Sequence, residues 1–298
     1  MFPEVTAVVT THGRPRCVQD ALASLRAETH RDIEVVVVDD GGEFYSAVRG
    51  DAPLRVVRGF GLGVGRARNL GLAAARGEFV IFLDDDDVAL PNRISNLLGA
   101  ARRHGASLCF GMTLRRVDGS SELLERVPTH QLSAGAVGFC DLLTCAPHVN
   151  AVLLRTETLR AIGGFDAGAR HFDDWSAWLR IADRNAVMWS IADTVAEWRV
   201  HQDGLSGHIQ RERAMKTRLL SLFERLRGCL SDENARAVVT AGRIVASADI
   251  LTYDDYAEIM AAARDDLHSA ATCFGHRSCR GPNRRAAASP SGKIPLHP

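Results

Sequence analysis

Short apolar runs alternate with amphipathic segments through the first third of the chain. The runs are Val5–Thr10, Ile33–Val38, Leu54–Val57, Phe79–Leu83 and Leu108–Phe110. Between them, Val18, Ala21, Leu22 and Leu25 recur at i, i+3, i+4, i+7, and Ile94, Leu97, Leu98 and Ala101 repeat that spacing, so both segments predict helices. Strands alternating with helices give βαβ units and a mainly parallel sheet. A run as uniformly apolar as Val35–Val38 must be buried on both faces, which puts helices above and below the sheet.

Ligands of such sheets sit beyond the carboxyl ends of the strands. Three polar clusters fall there: Thr10-Thr11-His12, Asp39-Asp40-Gly41-Gly42 and Asp84-Asp85-Asp86-Asp87. From Gly111 the pattern changes. Asp118-Gly119 between two mixed runs predicts a hairpin, and Ala151–Arg155 a further strand, so the sheet becomes mixed. Trp175, Trp178, Leu179 and Ala182 form another helical face, which places Asp173-Asp174 at a helix N-terminus. Two strand-like runs follow, Val187–Ile191 and Val195–Val200. Residues from about Gln210 to His268 read as helical, and the Arg-, Pro-, Ser- and Ala-rich tail from Gly275 as disordered and non-catalytic.

Composition narrows the class. With 298 residues, 46% of them hydrophobic, the chain can build one sizeable α/β core with an appendage. Lys+Arg and Asp+Glu both total 36, so nothing favours a polyanion, and nucleic acid is excluded as the main partner. The seven cysteines are scattered without CxxC pairs and read as buried thiols of a reducing cytoplasm. No leader pattern follows Met1, and no apolar stretch approaches the roughly twenty residues that a membrane span requires. Lysine occurs only at Lys216 and Lys293 against many arginines, a bias that hints at a GC-rich bacterial genome.

Four consecutive aspartates after an apolar strand repel one another unless a cation shares them. Carboxylate ligands select Mg²⁺ or Mn²⁺, whose remaining positions fill with phosphate oxygens and water. Gly59-Phe-Gly-Leu-Gly-Val-Gly65 leads into Arg66-Ala-Arg68-Asn69. It is not GxGxxG, yet a glycine loop at a helix N-terminus can hold phosphate through backbone N–H groups, with Arg68 adding charge. Its quieter reading is a flexible loop with a solvated arginine. Asp39-Asp40-Gly-Gly is likewise a turn or a ligand.

Together these motifs resemble the family-2 glycosyltransferases of GT-A fold, from roughly Val5 to Ser206. Val5–Arg14 is similar to the family's opening strand and nucleotide loop, with Thr10-Thr11-His12-Gly13 where Pro-Thr-Tyr-Asn is usual; the resemblance implies nucleotide contacts from Thr10, Thr11, His12 and Arg14. Val38–Gly42 resembles Val-Asp-Asp-Gly-Ser, which implies that Asp40, or else Asp39, accepts the N3–H of uracil or thymine. Gly63–Gly71 resembles Gly-x-x-x-Ala-Arg-Asn-x-Gly and brings Arg68 near the diphosphate. Phe82–Asp87 with Leu90–Arg93 resembles the DxD segment, implying Asp86 and Asp87 as metal and ribose-proximal ligands, Asp84 as a third, and Asp85 on the nucleotide. His171–Arg180 resembles the ED motif, which carries the catalytic base to Asp174, with Asp173 as the second choice. Trp198–His201 resembles Tyr-Arg-x-His and adds His201 as a metal candidate.

The resemblance implies an α/β fold with a GT-A-like mixed, mainly parallel sheet between helices. Residues 1–208 form the catalytic domain, 1–110 the donor half and 111–208 the acceptor half; 209–272 form a helical extension and 273–298 a disordered tail. The implied reaction transfers a sugar from a nucleoside-diphosphate sugar, UDP or TDP, to an acceptor hydroxyl of a small molecule or glycan, with inversion and with Mn²⁺ or Mg²⁺ as cofactor. The processive Gln-x-x-Arg-Trp element is absent. Alternatives are a sugar-phosphate nucleotidyltransferase and a non-catalytic nucleotide-sugar-binding protein. The helices after His208 either cover the acceptor site or form a homodimer face.

Overall fold

The computed structural model describes residues 2–41, 54–117, 123–127, 134–200, 215–248, 250 and 253–272. The strands are β1 (Val5–Thr11), β2 (Ile33–Asp39), β3 (Leu54–Arg58), β4 (Phe79–Asp84), β5 (Val88–Ala89), β6 (Leu108–Val117), β7 (Leu123–Val127), β8 (Gly135–Ala136), β9 (Val152–Arg155) and β10 (Met188–Val200). The helices are α1 (Pro15–Arg26), α2 (Val64–Ala74), α3 (Arg93–His104), α4 (Phe139–Thr144), α5 (Thr156–Ala161), α6 (Asp173–Ala182), α7 (Met215–Arg227), α8 (Asp232–Ser247), α9 (Tyr253–Ala262) and α10 (Arg264–Thr272).

One sheet runs in the order β3-β2-β1-β4-β9-β6-β10-β5, with β7 on β6 and β8 on β10. β3, β2, β1 and β4 are parallel, β9 is antiparallel to both β4 and β6, and β10 runs parallel to β6. The sheet is therefore mixed, as the pattern after Gly111 predicts. β6 and β7 pair antiparallel, and Asp118-Gly119 between them lies outside the described residues. The two runs expected at 187–191 and 195–200 are one strand. Its register against β6 shifts between Ser190 and Ala196: extra residues bulge out there without ending the pairing.

Alternation along the buried strands divides the core. Val8, Val36, Val38, Val80 and Phe82 face α2 and α6, whereas Val9, Val35, Val37, Ile81 and Leu83 face α1 and α3. The predicted stripes of those two helices, Val18–Leu25 and Ile94–Ala101, are the residues they bury. Trp175 and Trp178 are fully buried under α6, and their indole N–H groups donate to the carbonyls of Leu142 and Pro147. α7 to α10 continue this second layer: Leu222, Phe223, Val238 and Tyr256 join the same cluster, and Tyr256 packs edge-on against Trp175 at 5.3 Å. The tail from 273 lies outside the described residues. No helix among the described residues is long and apolar enough to cross a membrane.

Of the cysteines described, Cys109, Cys140 and Cys145 are buried and unbridged, but Cys229 is exposed and Cys17 half-buried. Burial of all the thiols was expected; Cys229 departs from it because it lies just past the end of α7, outside the packed layer.

Candidate active site

Parallel pairing brings the ends of β1, β2 and β4 to one edge: Thr10 stands opposite Asp84, and Thr11 opposite Asp39. Side chains then join them. The Thr10 hydroxyl donates to Asp84 at 3.0 Å and the Thr11 hydroxyl to Asp85 at 2.6 Å.

Asp40 organises the glycine loop. Its carboxylate accepts backbone N–H groups from Leu62 at 2.9 Å and Gly63 at 2.8 Å, and its carbonyl accepts from Gly61. The loop can approach because position 59 lacks a side chain: a Cβ there would stand 2.2 Å from Asp40 Oδ1 and 2.8 Å from its Cα. Gly63 caps α2 at φ 89° and ψ 161°, a conformation for glycine. The loop N–H groups that sequence offers to a phosphate are thus engaged by Asp40 at Leu62 and Gly63. Each carboxylate oxygen has two lone pairs, so Asp40 keeps acceptor capacity. Exposed His12 reaches the Asp40 carbonyl through Nδ1 at 3.2 Å, and Phe60 at the loop tip is 82% exposed. Asp39 is buried, with Oδ1 accepting from Gly41 N at 3.4 Å.

The four aspartates have four different environments. Asp84 receives both oxygens' worth of contact from Arg68 Nη2, at 2.9 and 2.8 Å. Burial disfavours its charge, but Arg68 outweighs that and holds the carboxyl below the usual range. Asp85 is buried between Thr11 and Arg14 Nη2, the latter at 2.5 Å, and burial pushes its pKa up to about 6. Asp86 stands at the mouth, 20% exposed, with Arg14 Nη1 at 2.6 Å. Asp87 turns inward: it accepts Asn150 Nδ2 at 2.9 Å and Arg199 N at 3.1 Å. Burial, then Asp86 and Asp84, raise its pKa well above the ordinary value.

Behind the turn, fully buried Arg93 donates to the Phe82 carbonyl at 2.8 Å, and burial lowers its pKa to about 10. Glu28 beside it is raised by burial to about 7 and accepts the Ile94 N–H. This pair backs the aspartate turn with one interior cation.

The start of α6 joins the same edge. Arg68 Nη1 donates to Asp173 at 2.8 Å, so one guanidinium joins the aspartate turn to the start of α6. Arg68 is 4% exposed and its charge is stabilised against burial by Asp173 and Asp84. The diphosphate-side arginine of the sequence reading is therefore a buried tie between two carboxylates. Phe172, immediately before α6, has φ 60°, a strained setting for an aromatic residue that bends the chain sharply into the helix. Asp174, next in the turn, accepts its own neighbour's N–H, Trp175 N, at 2.7 Å. Burial, then the charge of Asp173, push its pKa up to about 7, with Arg68 opposing.

The structure thus gathers Thr10, Thr11, His12, Arg14, Asp39, Asp40, Arg68, Asp84 to Asp87, Asp173 and Asp174 around one edge. His201 lies outside the described residues. Sequence reasoning passed over Asn150 and His148. Asn150 is fully buried, takes the Thr113 hydroxyl at 3.1 Å and braces Asp87. His148 stacks on Trp198 at 4.9 Å, and its Nδ1 stands 4.0 Å from Asp87. Neither belongs to a periodic or clustered pattern; they reach the site through the turn before β9, which only folding places there.

No group of three or more His, Cys, Asp or Glu side chains among the described residues could hold a metal by itself. A hard divalent ion fits the donor set nonetheless. Such an ion takes one or two carboxylates and completes its shell with phosphate and water, and Asp86 offers a carboxylate at the mouth that already holds a cationic group.

A family model described as glycosyl transferase family 2 matches residues 6–156, just over half the chain. An uncharacterized glycosyltransferase of Nostoc sp. is 34% identical over 177 residues, 55% of this chain and 54% of that protein. The succinoglycan biosynthesis protein ExoO of Rhizobium meliloti is 34% identical over 125 residues, 40% of this chain and 36% of that one. The chain spans about a third to a half of the length of the first curated relatives it matches. Among solved structures, S. aureus TarS 1–349 in complex with UDP-GlcNAc superposes with TM-score 0.59 at 17% identity, covering 88% of this chain and 92% of that one. The mannosyltransferase PcManGT of Pyrobaculum calidifontis, with GDP-Man and Mn²⁺, gives 0.60 at 18% identity over 89% and 76%. These likenesses show the fold, the GT-A arrangement that the sequence motifs resemble.

Proposed function

Because the chain belongs to glycosyl transferase family 2, we propose that it moves a sugar from a nucleoside-diphosphate sugar to an acceptor hydroxyl with inversion, using Asp174 as base. The observation that carries this reading is the chain Asp84–Arg68–Asp173, which fixes a carboxyl of pKa about 7 at Asp174 beside the aspartate turn. A base is most effective when its pKa lies near the working pH. Asp174 takes the acceptor proton as the hydroxyl attacks the anomeric carbon from the face opposite the diphosphate. The bond to the diphosphate oxygen breaks, and that oxygen leaves with the electron pair.

Thr11, His12, Asp39 and Asp40 line the nucleoside end, and Asp40 is the first choice for the N3–H of a uracil or thymine. UDP is favoured by the uridine nucleotide that TarS carries, with TDP next. Asp86 is the residue that would hold Mn²⁺ or Mg²⁺, with Asp84 adjoining it; a bound ion supplies stabilisation of charge on the leaving diphosphate. The Mn²⁺ present with PcManGT supports the use of a divalent ion. Asp87 then serves to fix the turn, through Asn150 and Arg199, more than to meet the ion.

Calorimetric titration with UDP, TDP and GDP, each with Mn²⁺ or EDTA, tests the reading on the wild type and Asp86→Ala. Metal-dependent binding of one nucleotide, lost in the variant, is expected. Absence of binding by all three would overturn the donor site. With a matched donor and acceptor, the anomeric proton coupling of the product reports inversion directly.

A further inference from the structure

Arg14 bridges two carboxylates of the aspartate turn, buried Asp85 and Asp86 at the mouth: its Nη2 stands 2.5 Å from Asp85 and its Nη1 2.6 Å from Asp86. It projects from the residue before α1, with Pro15 opening the helix behind it. Its side chain is 38% exposed, against 5% for Arg68. The two arginines divide the turn. Arg68 is locked inside between Asp84 and Asp173, whereas Arg14 sits at the rim on a long, flexible stem, on the carboxylate where a divalent ion would enter.

We propose that Arg14 is the built-in counterion of Asp86 in the donor-free enzyme, which a divalent cation must displace, so that metal and nucleotide diphosphate bind as one coupled event. The inference rests on the donor site proposed above. Arg14 Nη1 sits on Asp86 Oδ2, and a divalent ion on the same carboxylate would stand close to the guanidinium, so repulsion between the like charges disfavours joint occupancy. Displacing Arg14 by metal alone leaves its charge beside that of the ion, which is unfavourable. A diphosphate removes this conflict by offering Arg14 new oxygens in bidentate geometry. Asp85 retains the Thr11 hydroxyl when Arg14 leaves, so the turn need not rearrange. The consequence is weak metal binding to the empty enzyme and a marked gain when nucleotide is present. The device keeps the Asp86 carboxylate at the mouth from attracting ions that would serve no donor.

The test measures free Mn²⁺ by electron paramagnetic resonance over the full-length wild type, Arg14→Gln and Arg14→Lys, first without nucleotide and then with UDP, TDP or GDP in turn. Removing a partly exposed pair should tighten nucleotide-free Mn²⁺ binding about fivefold in Arg14→Gln. The increase in Mn²⁺ affinity caused by UDP should shrink by the same factor. Arg14→Lys, which keeps the charge, should stay near the wild type. Unchanged circular dichroism and melting temperature confirm that each variant is folded. Equal or weaker Mn²⁺ binding by Arg14→Gln, with UDP enhancement intact in both proteins, overturns the role of Arg14 and leaves the donor site standing. Failure of the wild type to bind Mn²⁺ with or without any of the three nucleotides sinks both.

Discussion

Asp174→Asn separates the two consequences of a carboxyl held near pKa 7. The amide keeps the oxygen that accepts Trp175 N at 2.7 Å, so the local geometry survives and only the charge is removed. An unfolded aspartate titrates near 3.9, whereas in the fold burial and Asp173 raise Asp174 to about 7. The folded value is the higher one. The neutral carboxyl's contribution to stability is therefore complete below about pH 4, declines as pH rises, and is gone above about pH 7, where the fold contains an ionised carboxylate beside Asp173. The gap of about three pKa units corresponds to a cost of at most about 4 kcal/mol at pH 8, and about 2 kcal/mol once discounted for solvent screening, since Asp174 is only half-buried. Urea unfolding at pH 3.5, 6, 7 and 8 should show Asp174→Asn equal to the wild type at the acid end and more stable by about 2 kcal/mol at pH 8. Turnover should fall by about 10²–10⁴, and wild-type kcat/KM should rise with pH to a plateau above about 7. A variant that is fully active, or no more stable than the wild type at pH 8, would refute the assignment of the base and of its perturbed charge.

Arg68→Met should be costly despite its conservative volume, since it leaves buried Asp173 and half-buried Asp84 without their shared cation; a loss of about 3–5 kcal/mol in chemical denaturation is expected, and an unchanged midpoint would show that the tie is not structural. Gly59→Ala places a Cβ 2.8 Å from the Asp40 backbone, so the loop must withdraw from Asp40. UDP affinity by calorimetry should drop about tenfold or more as roughly 1.4 kcal/mol of preorganisation is lost, while α6 and the remote core keep the melting temperature within a few degrees.

The strands, the helices that cover them and the acidic edge were legible in the sequence because they depend on local order. Four valines at Val35–Val38 require burial on both faces wherever they lie, and the stripe Val18–Leu25 has helical spacing in any context. Motif order then predicted which edge carries chemistry, since parallel strands present their carboxyl ends together. What the motifs could not convey was which partner each charged group would take. Arg68 and Asp173 are 105 residues apart in sequence and become a buried ion pair at 2.8 Å; Asn150 and Asp87 meet across 63 residues. Four neighbouring aspartates look equivalent in a linear chain, yet one faces Arg68, one Thr11, one the solvent rim with Arg14 and one the interior, so the pKa of Asp84 falls while those of Asp85 and Asp87 rise. Desolvation and Coulomb energy depend on distance in space, not on spacing along the chain. Sequence therefore determined the sheet, its helices and the residue types at the site, and the tertiary structure alone decided which carboxyl is tied, which is buried and which is left at pKa about 7.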